Sequence, residues 1–282
     1  MKKIIYILLF TLIFAIAACS TNDSDSNGTS SNGEPLSAVK DSTKPYVKGV
    51  KNVDVLNTHG SIEGLERMQS FYDNLKNGIP SNLRIVHYTI EGDPIVTDLT
   101  YNGESLEVKD DTTRDAFGSG EIRTNSCSNM IEEVTPTNTS YIAVGCNGGA
   151  SGNEEILNIS YNMSQQDLFE FELKYGVNLE NEVNTKTNTT KKVISADETK
   201  VISDFILAAN VKQEVYKRLV FANYLADKDF ETTCDSKESM NYFLIVHING
   251  GKREFRWSAC DQSNGGKKFT EIAEYIISQS EK

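Results

Sequence analysis

Fifteen residues near the start of the chain, Ile4 to Ala18, are apolar or small apart from Tyr6 and Thr11; they follow Lys2 and Lys3 and run into Cys19. A run of that length is too short to span a bilayer comfortably, and its basic start fits a secretory signal. The remainder of the chain is therefore expected to fold outside the cytoplasm, where disulfides form and persist. The chain has 282 residues, 38% of them hydrophobic and 24% charged. That balance suits one or two ordinary globular domains and excludes a disordered chain, a collagen or a multi-span membrane protein. The net charge of -12 makes nucleic acid an unsuitable partner, because phosphate binding rests on clustered Lys and Arg.

The run ends Ile16-Ala17-Ala18-Cys19-Ser20, which resembles the lipobox of bacterial lipoproteins: a branched aliphatic residue, two small residues, then Cys. The resemblance implies that residues 1–18 are a signal peptide cleaved after Ala18 and that Cys19 is lipidated. Acyl chains would then hold the protein at the outer face of the cytoplasmic membrane, with no spanning segment. Residues 19–45 carry the lipidated Cys and a stretch of Ser, Asn, Asp, Thr and Gly with few large apolar residues. Such a stretch cannot offset the entropy of ordering and reads as a tether.

Beyond the tether the pattern predicts an α+β protein of two small domains, each an antiparallel sheet with flanking helices. In the first, residues 46–177, Ser61 opens a helix along Ile62, Leu65, Met68, Phe71, Tyr72 and Leu75. Strands are expected over 83–90, 95–101 and 104–109, with Asn102-Gly103 as a tight hairpin turn, then near Ile122, over 141–146 and over 155–161. Ser164 opens a second helix through Leu168, Phe171 and Tyr175. Residues 178–192, rich in Asn, Thr, Glu and Lys, read as a linker. In the second domain, residues 193–282, Ser195 and Glu198 open a helix along Val201, Ile202, Phe205 and Ile206. Strands are expected near 219–225, 241–248 and 252–258, and Phe269, Ile272, Ala273 and Ile276 mark a closing helix. The acidity is uneven: 22 acidic against 12 basic residues over 46–192 leave -10 there.

Setting Cys19 aside leaves Cys127, Cys146, Cys234 and Cys260, an even number in an exported chain. The domain division favours Cys127 with Cys146 and Cys234 with Cys260, each closing a loop worth roughly 3 kcal/mol. No Cys-x-x-Cys pair or adjacent His suggests a metal site. His59 precedes a Gly at a turn, while His87 and His247 lie in apolar strand runs and read as hydrogen-bonded strand residues. Glu91, Asp93, Asp110, Asp111 and Asp115 gather near predicted turns, where carboxylates shape turns or, less commonly, hold a cation. No catalytic residue, metal ligand or cofactor is assigned.

The strings NTHG at Asn57 to Gly60, YTIEGDPIVTDLTYNG at Tyr88 to Gly103 and DTTRDAFGSGEI at Asp111 to Ile122 resemble an uncharacterised lipoprotein domain family of Gram-positive, spore-forming bacteria. The resemblance spans about Val53 to Tyr161 and implies a lipid-anchored extracytoplasmic protein, with no residue roles to carry over. Two function classes result. One is a non-enzymatic binding module for a protein, peptide or envelope component. The alternative is an envelope enzyme working through the five carboxylates, with or without a divalent cation. The surplus of negative charge favours a ligand that is neutral, cationic or another protein.

Overall fold

The computed structural model describes residues 49–148, 152–236 and 238–282. The expected signal peptide (1–18), Cys19 and the expected tether (19–45) lie outside them. Strand β1 (Val55–Thr58) turns through His59 and Gly60, both at positive φ, into β2 (Ser61–Glu63). Pairing with β1 holds Ser61 in extended backbone, so helix α1 (Leu65–Lys76) begins three residues later than Ser61 would place it. Gly64 makes that entry possible. Its φ is 74°, and a Cβ there would sit 1.9 Å from the Asp54 carbonyl oxygen. The helix buries Leu65, Met68, Phe71 and Leu75, the stripe its spacing predicts.

Strands β3 (Ser81–Tyr88), β4 (Pro94–Tyr101), β5 (Leu106–Asp111) and β6 (Ile122–Cys127) complete a first sheet in the order β2-β1-β3-β4-β5-β6. It is antiparallel except where β1 runs parallel to β3. A second, three-stranded sheet comprises β7 (Asn129–Val134), β8 (Asn138–Val144) and β9 (Asn153–Ser160). The third sheet holds β10 (Phe169–Gly176), β11 (Asn181–Asn184), β12 (Thr189–Val193), β13 (Thr199–Ser203), β14 (Asn241–Ile248) and β15 (Gly251–Ser258), in the order β13-β12-β11-β10-β14-β15. Helices α2 (Ala209–Phe221) and α3 (Asn264–Ser280) complete the fold. Mostly antiparallel sheets with a few helices make this an α+β protein.

Four expected elements come out differently. The helix expected from Ser164 is a short 3-10 turn leading into β10, because Phe169, Phe171, Leu173 and Tyr175 are all buried and recur every second residue. Leu168, which suggested the helical face, is largely exposed. The expected linker 178–192 contains β11 and most of β12, so the expected domain boundary falls inside a sheet. The helix expected from Ser195 is β13, an exposed edge strand, and its β-branched residues Thr199, Val201 and Ile202 suit that role. The strand expected near 219–225 begins as the end of α2, whose Val215, Tyr216 and Leu219 are buried at helical spacing.

One continuous core replaces the two expected ones. Residues 46–282 make a single compact unit, and buried side chains from all three sheets and all three helices join in one cluster. Its densest part is aromatic: Phe269 lies 4.6 Å from Phe255, 5.0 Å from Phe230 and 5.6 Å from Trp257, centroid to centroid. Trp257 stacks on Tyr242 and donates from Nε1 to Thr270 Oγ1 at 3.0 Å. Both expected cysteine pairs lie at disulfide distance. Cys127 with Cys146 ties the end of β6 to the turn after β8, which joins the first sheet to the second.

Candidate functional site

The inner face of the first sheet changes character along its strands. Pairing register places Tyr101, Leu106 and Cys127 in one cross-strand row, and Leu83, Leu99, Val108 and Asn125 in the next. Then come Val55, Ile85, Thr97, Asp110 and Arg123, and finally Asn57, His87 and Ile95. Because strand side chains alternate faces, all of these point the same way. The first row is apolar and the last mostly polar, so the core runs into a polar pocket without any change of face.

Strand β9 covers that polar end. It carries a bulge: Tyr141 and Ile142 are consecutive on β8 but oppose Leu157 and Glu155, leaving Ile156 as the extra residue. Ile156 and Leu157 are consequently both buried, and the chain on either side is turned so that Glu154 joins the pocket. The cavity measures about 460 Å³ and is lined by Asn57, His87, Ile95, Thr97, Asp110, Arg123 and residues 154–158.

Its polar groups hold one another in place. Asn57 Nδ2 donates to His87 Nδ1 at 3.3 Å, and the imidazole bonds the Ile156 backbone at the bulge. That network assigns the neutral tautomer with its proton on Nε2. Burial lowers the His87 pKa from its ordinary 6.5, against the opposing pull of the Ile156 bond and the Asp110 charge. Thr97 Oγ1 donates to Asp110 Oδ1 at 2.7 Å, and Arg123 Nη2 stands 3.7 Å from Asp110 Oδ2. Asn125 Nδ2 donates to Glu154 Oε2 at 2.9 Å.

Burial, then a hydrogen bond to Asp110, raises the pKa of Glu154 above its ordinary 4.5, while Asn125 and Arg123 pull it down. The Asp110 carboxyl beside it thus favours the protonated form of Glu154. Gly148 stands behind this arrangement: a Cβ there would lie 2.1 Å from Asn125 Oδ1, the amide that holds Glu154. Among the described residues, no group of three His, Cys, Asp or Glu side chains is placed to hold a metal ion.

The five carboxylates singled out in the sequence do not converge. Asp110 enters the pocket. Asp111, next to it in the strand, faces the other way, accepting from Thr113 Oγ1 and Thr113 N and bonding Arg114 Nη1 at 2.6 Å; these bonds lower its pKa. Asp115 accepts from Phe117 N, and Asp93 Oδ2 accepts from Ala116 N at 3.1 Å, tying the β3–β4 turn to the β5–β6 loop. Glu91 lies exposed in that turn. His247 bonds Glu172 Oε1 at 2.7 Å across β14 and β10, away from the pocket. Residue-type spacing missed Asn57, Thr97, Arg123 and Glu154. Their signal is phase: each polar residue on β3 to β6 falls where an apolar one is due, and the consecutive Ile156-Leu157 marks the bulge.

No curated protein and no solved structure matches the chain. A family model described as a domain of unknown function (DUF4362) matches residues 52–142, about a third of the chain, so it includes Asn57, His87, Thr97, Asp110 and Arg123 and stops short of Glu154.

Proposed function

We propose that this is a lipid-anchored extracytoplasmic binding module, carried on Cys19 at the outer face of the cytoplasmic membrane, which takes a small polar ligand in the pocket under β9. The observation that carries the reading is the pocket itself: a cavity of about 460 Å³ whose polar side chains are fixed by bonds to one another before any ligand arrives. Preorganisation of this kind lowers the ordering cost of binding. The lipobox resemblance at Ile16 to Ser20 supports the anchor, and the two cysteine pairs suit an oxidising compartment. Two experiments test the two halves. Cys19→Ala abolishes labelling by an alkynyl fatty acid and releases the protein into the medium; unchanged labelling and retention remove the anchor. In a ligand screen on the exported protein, compounds that raise the melting temperature lose that effect in Asp110→Asn. Stabilisation that Asp110→Asn leaves intact removes the pocket.

A second reading rests on the same carboxyl pair. Two neighbouring carboxyls, with the Glu154 pKa raised by burial and by Asp110, can act as acid and base on a water molecule. Turnover of a peptide or wall fragment that disappears in Asp110→Asn would put this reading first.

A further inference from the structure

Arg123 stands at the mouth of the pocket with its side chain 63% exposed and its guanidinium 3.7 Å from Asp110 Oδ2. It is the one basic side chain among the residues that line the cavity, set against Asp110, Glu154 and Glu155. The groups facing Asp110 are Thr97 from β4, Arg123 from β6, Glu154 from β9 and, one row away, His87 from β3. His87 already uses Nδ1 for Asn57 and its other edge for the Ile156 backbone. The pocket is therefore short of positive charge. What meets that need in the free protein is a long, exposed arginine at only loose ion-pair distance.

We infer that the pocket binds an organic cation, a primary ammonium or guanidinium on a short carbon chain, whose charge lies against the Asp110 and Glu154 carboxyls that line the cavity. This rests on the reading of the pocket as the ligand site. Ile95, Ile156 and Leu157 supply an apolar wall for the carbon chain. The volume exceeds what an ion alone would fill, and the described residues offer no three-ligand metal set. The exchange balances in charge: as the cation enters, a protonated Glu154 gives its proton to solvent, or, where Glu154 is already ionised, Arg123 swings outward. No bond to carbon forms or breaks.

The test is calorimetric titration of the exported protein with 1,5-diaminopentane and with arginine amide, against 1-pentanol and glutarate as neutral and anionic counterparts. Each titration is run in two buffers of different ionisation enthalpy, so that protons released per ligand are counted. Both cations bind and release a proton, with affinity rising as pH rises through the elevated Glu154 pKa; the two counterparts give no heat. Asp110→Asn weakens cation binding at least tenfold. Glu154→Gln still binds but releases no proton, which a merely structural Glu154 would not produce. Binding of 1-pentanol or glutarate without the cations, or cation binding with equal proton release in Glu154→Gln, overturns the inference and leaves the pocket as a ligand site. Silence from all four probes, together with a ligand screen that finds nothing sensitive to Asp110→Asn, overturns both.

Discussion

The first and third sheets each have six strands and each press one face into the same core, yet the first turns polar along that face where the central strands of the third stay apolar. Along the inner face of β10 and β14 the rows are apolar: Tyr175 beside Tyr242, Leu173 beside Leu244, Phe171 beside Val246, Phe169 beside Ile248; Trp257 and Phe255 continue two of them on β15, and polar Arg253 appears only at the far side of a third. Helix α3 seals it with Phe269, Ile272, Ala273 and Ile276. The inner face of the first sheet starts the same way and then gives up burial energy for Thr97, Asp110, Asn125, His87 and Asn57. Polar groups at core positions cost stability unless they are bonded, and here each is bonded to a neighbour. A sheet that only needed to fold would have continued as the third one does. The departure marks the place where the chain does something besides fold.

Removing packing from the uniform sheet should have the largest effect. Phe269→Ala leaves a cavity among Phe230, Phe255 and Trp257 and costs about 3–5 kcal/mol, read from the shift in denaturation midpoint. Leu99→Ala, on the apolar part of the first sheet, costs about 2–5 kcal/mol. One row away, Thr97→Val keeps the shape, loses only the hydroxyl bond to Asp110 and costs about 1 kcal/mol. Equal costs for Leu99→Ala and Thr97→Val would erase the contrast between the rows. Breaking Cys127–Cys146 by paired Ser substitution costs about 3 kcal/mol in chemical unfolding, since it frees the loop that joins the first sheet to the second.

The smallest effect has the opposite sign. Glu154 has a folded pKa above its unfolded value, so the folded chain holds more protons between those two values. The stability it contributes is complete below pH 4.5 and is lost as pH rises through the folded pKa. Glu154→Gln should therefore raise the melting temperature slightly at pH 7.5, by no more than about 2 °C because the group is partly in solvent and screened, and change nothing at about pH 4. A melting temperature that falls under the neutral condition would mean that Glu154 is a structural anion.

Much of this was legible in the sequence where one face is uniform. Strands β3, β4, β5, β14 and β15 and helices α1 and α3 follow from periodicity; both cysteine pairs match, although the domain division that favoured them falls inside a sheet. Sequence periodicity misleads where two periods overlap. Leu168, Phe171 and Tyr175 fit a helix, while Phe169, Phe171, Leu173 and Tyr175 fit a strand, and burial chose the strand. Composition misleads at 178–192, where polar residues reflect strands near a sheet edge and not a break between domains. The site was half visible: His87 and Asp110 stand out in the sequence, but their meeting with Glu154 depends on β9 crossing the first sheet and on the bulge at Ile156. No local pattern encodes a contact between strands so far apart in the chain.

The claim beneath the whole account is that burial and the neighbouring Asp110 raise the pKa of Glu154 at the polar end of the first sheet. Carboxyl carbon-13 NMR titration of the exported protein measures it directly, with Glu154 assigned by its loss in Glu154→Gln. Glu154 should titrate above 4.5, and Asp110→Asn should bring that midpoint down. A Glu154 that titrates at or below 4.5, with a midpoint indifferent to Asp110→Asn, would contradict it.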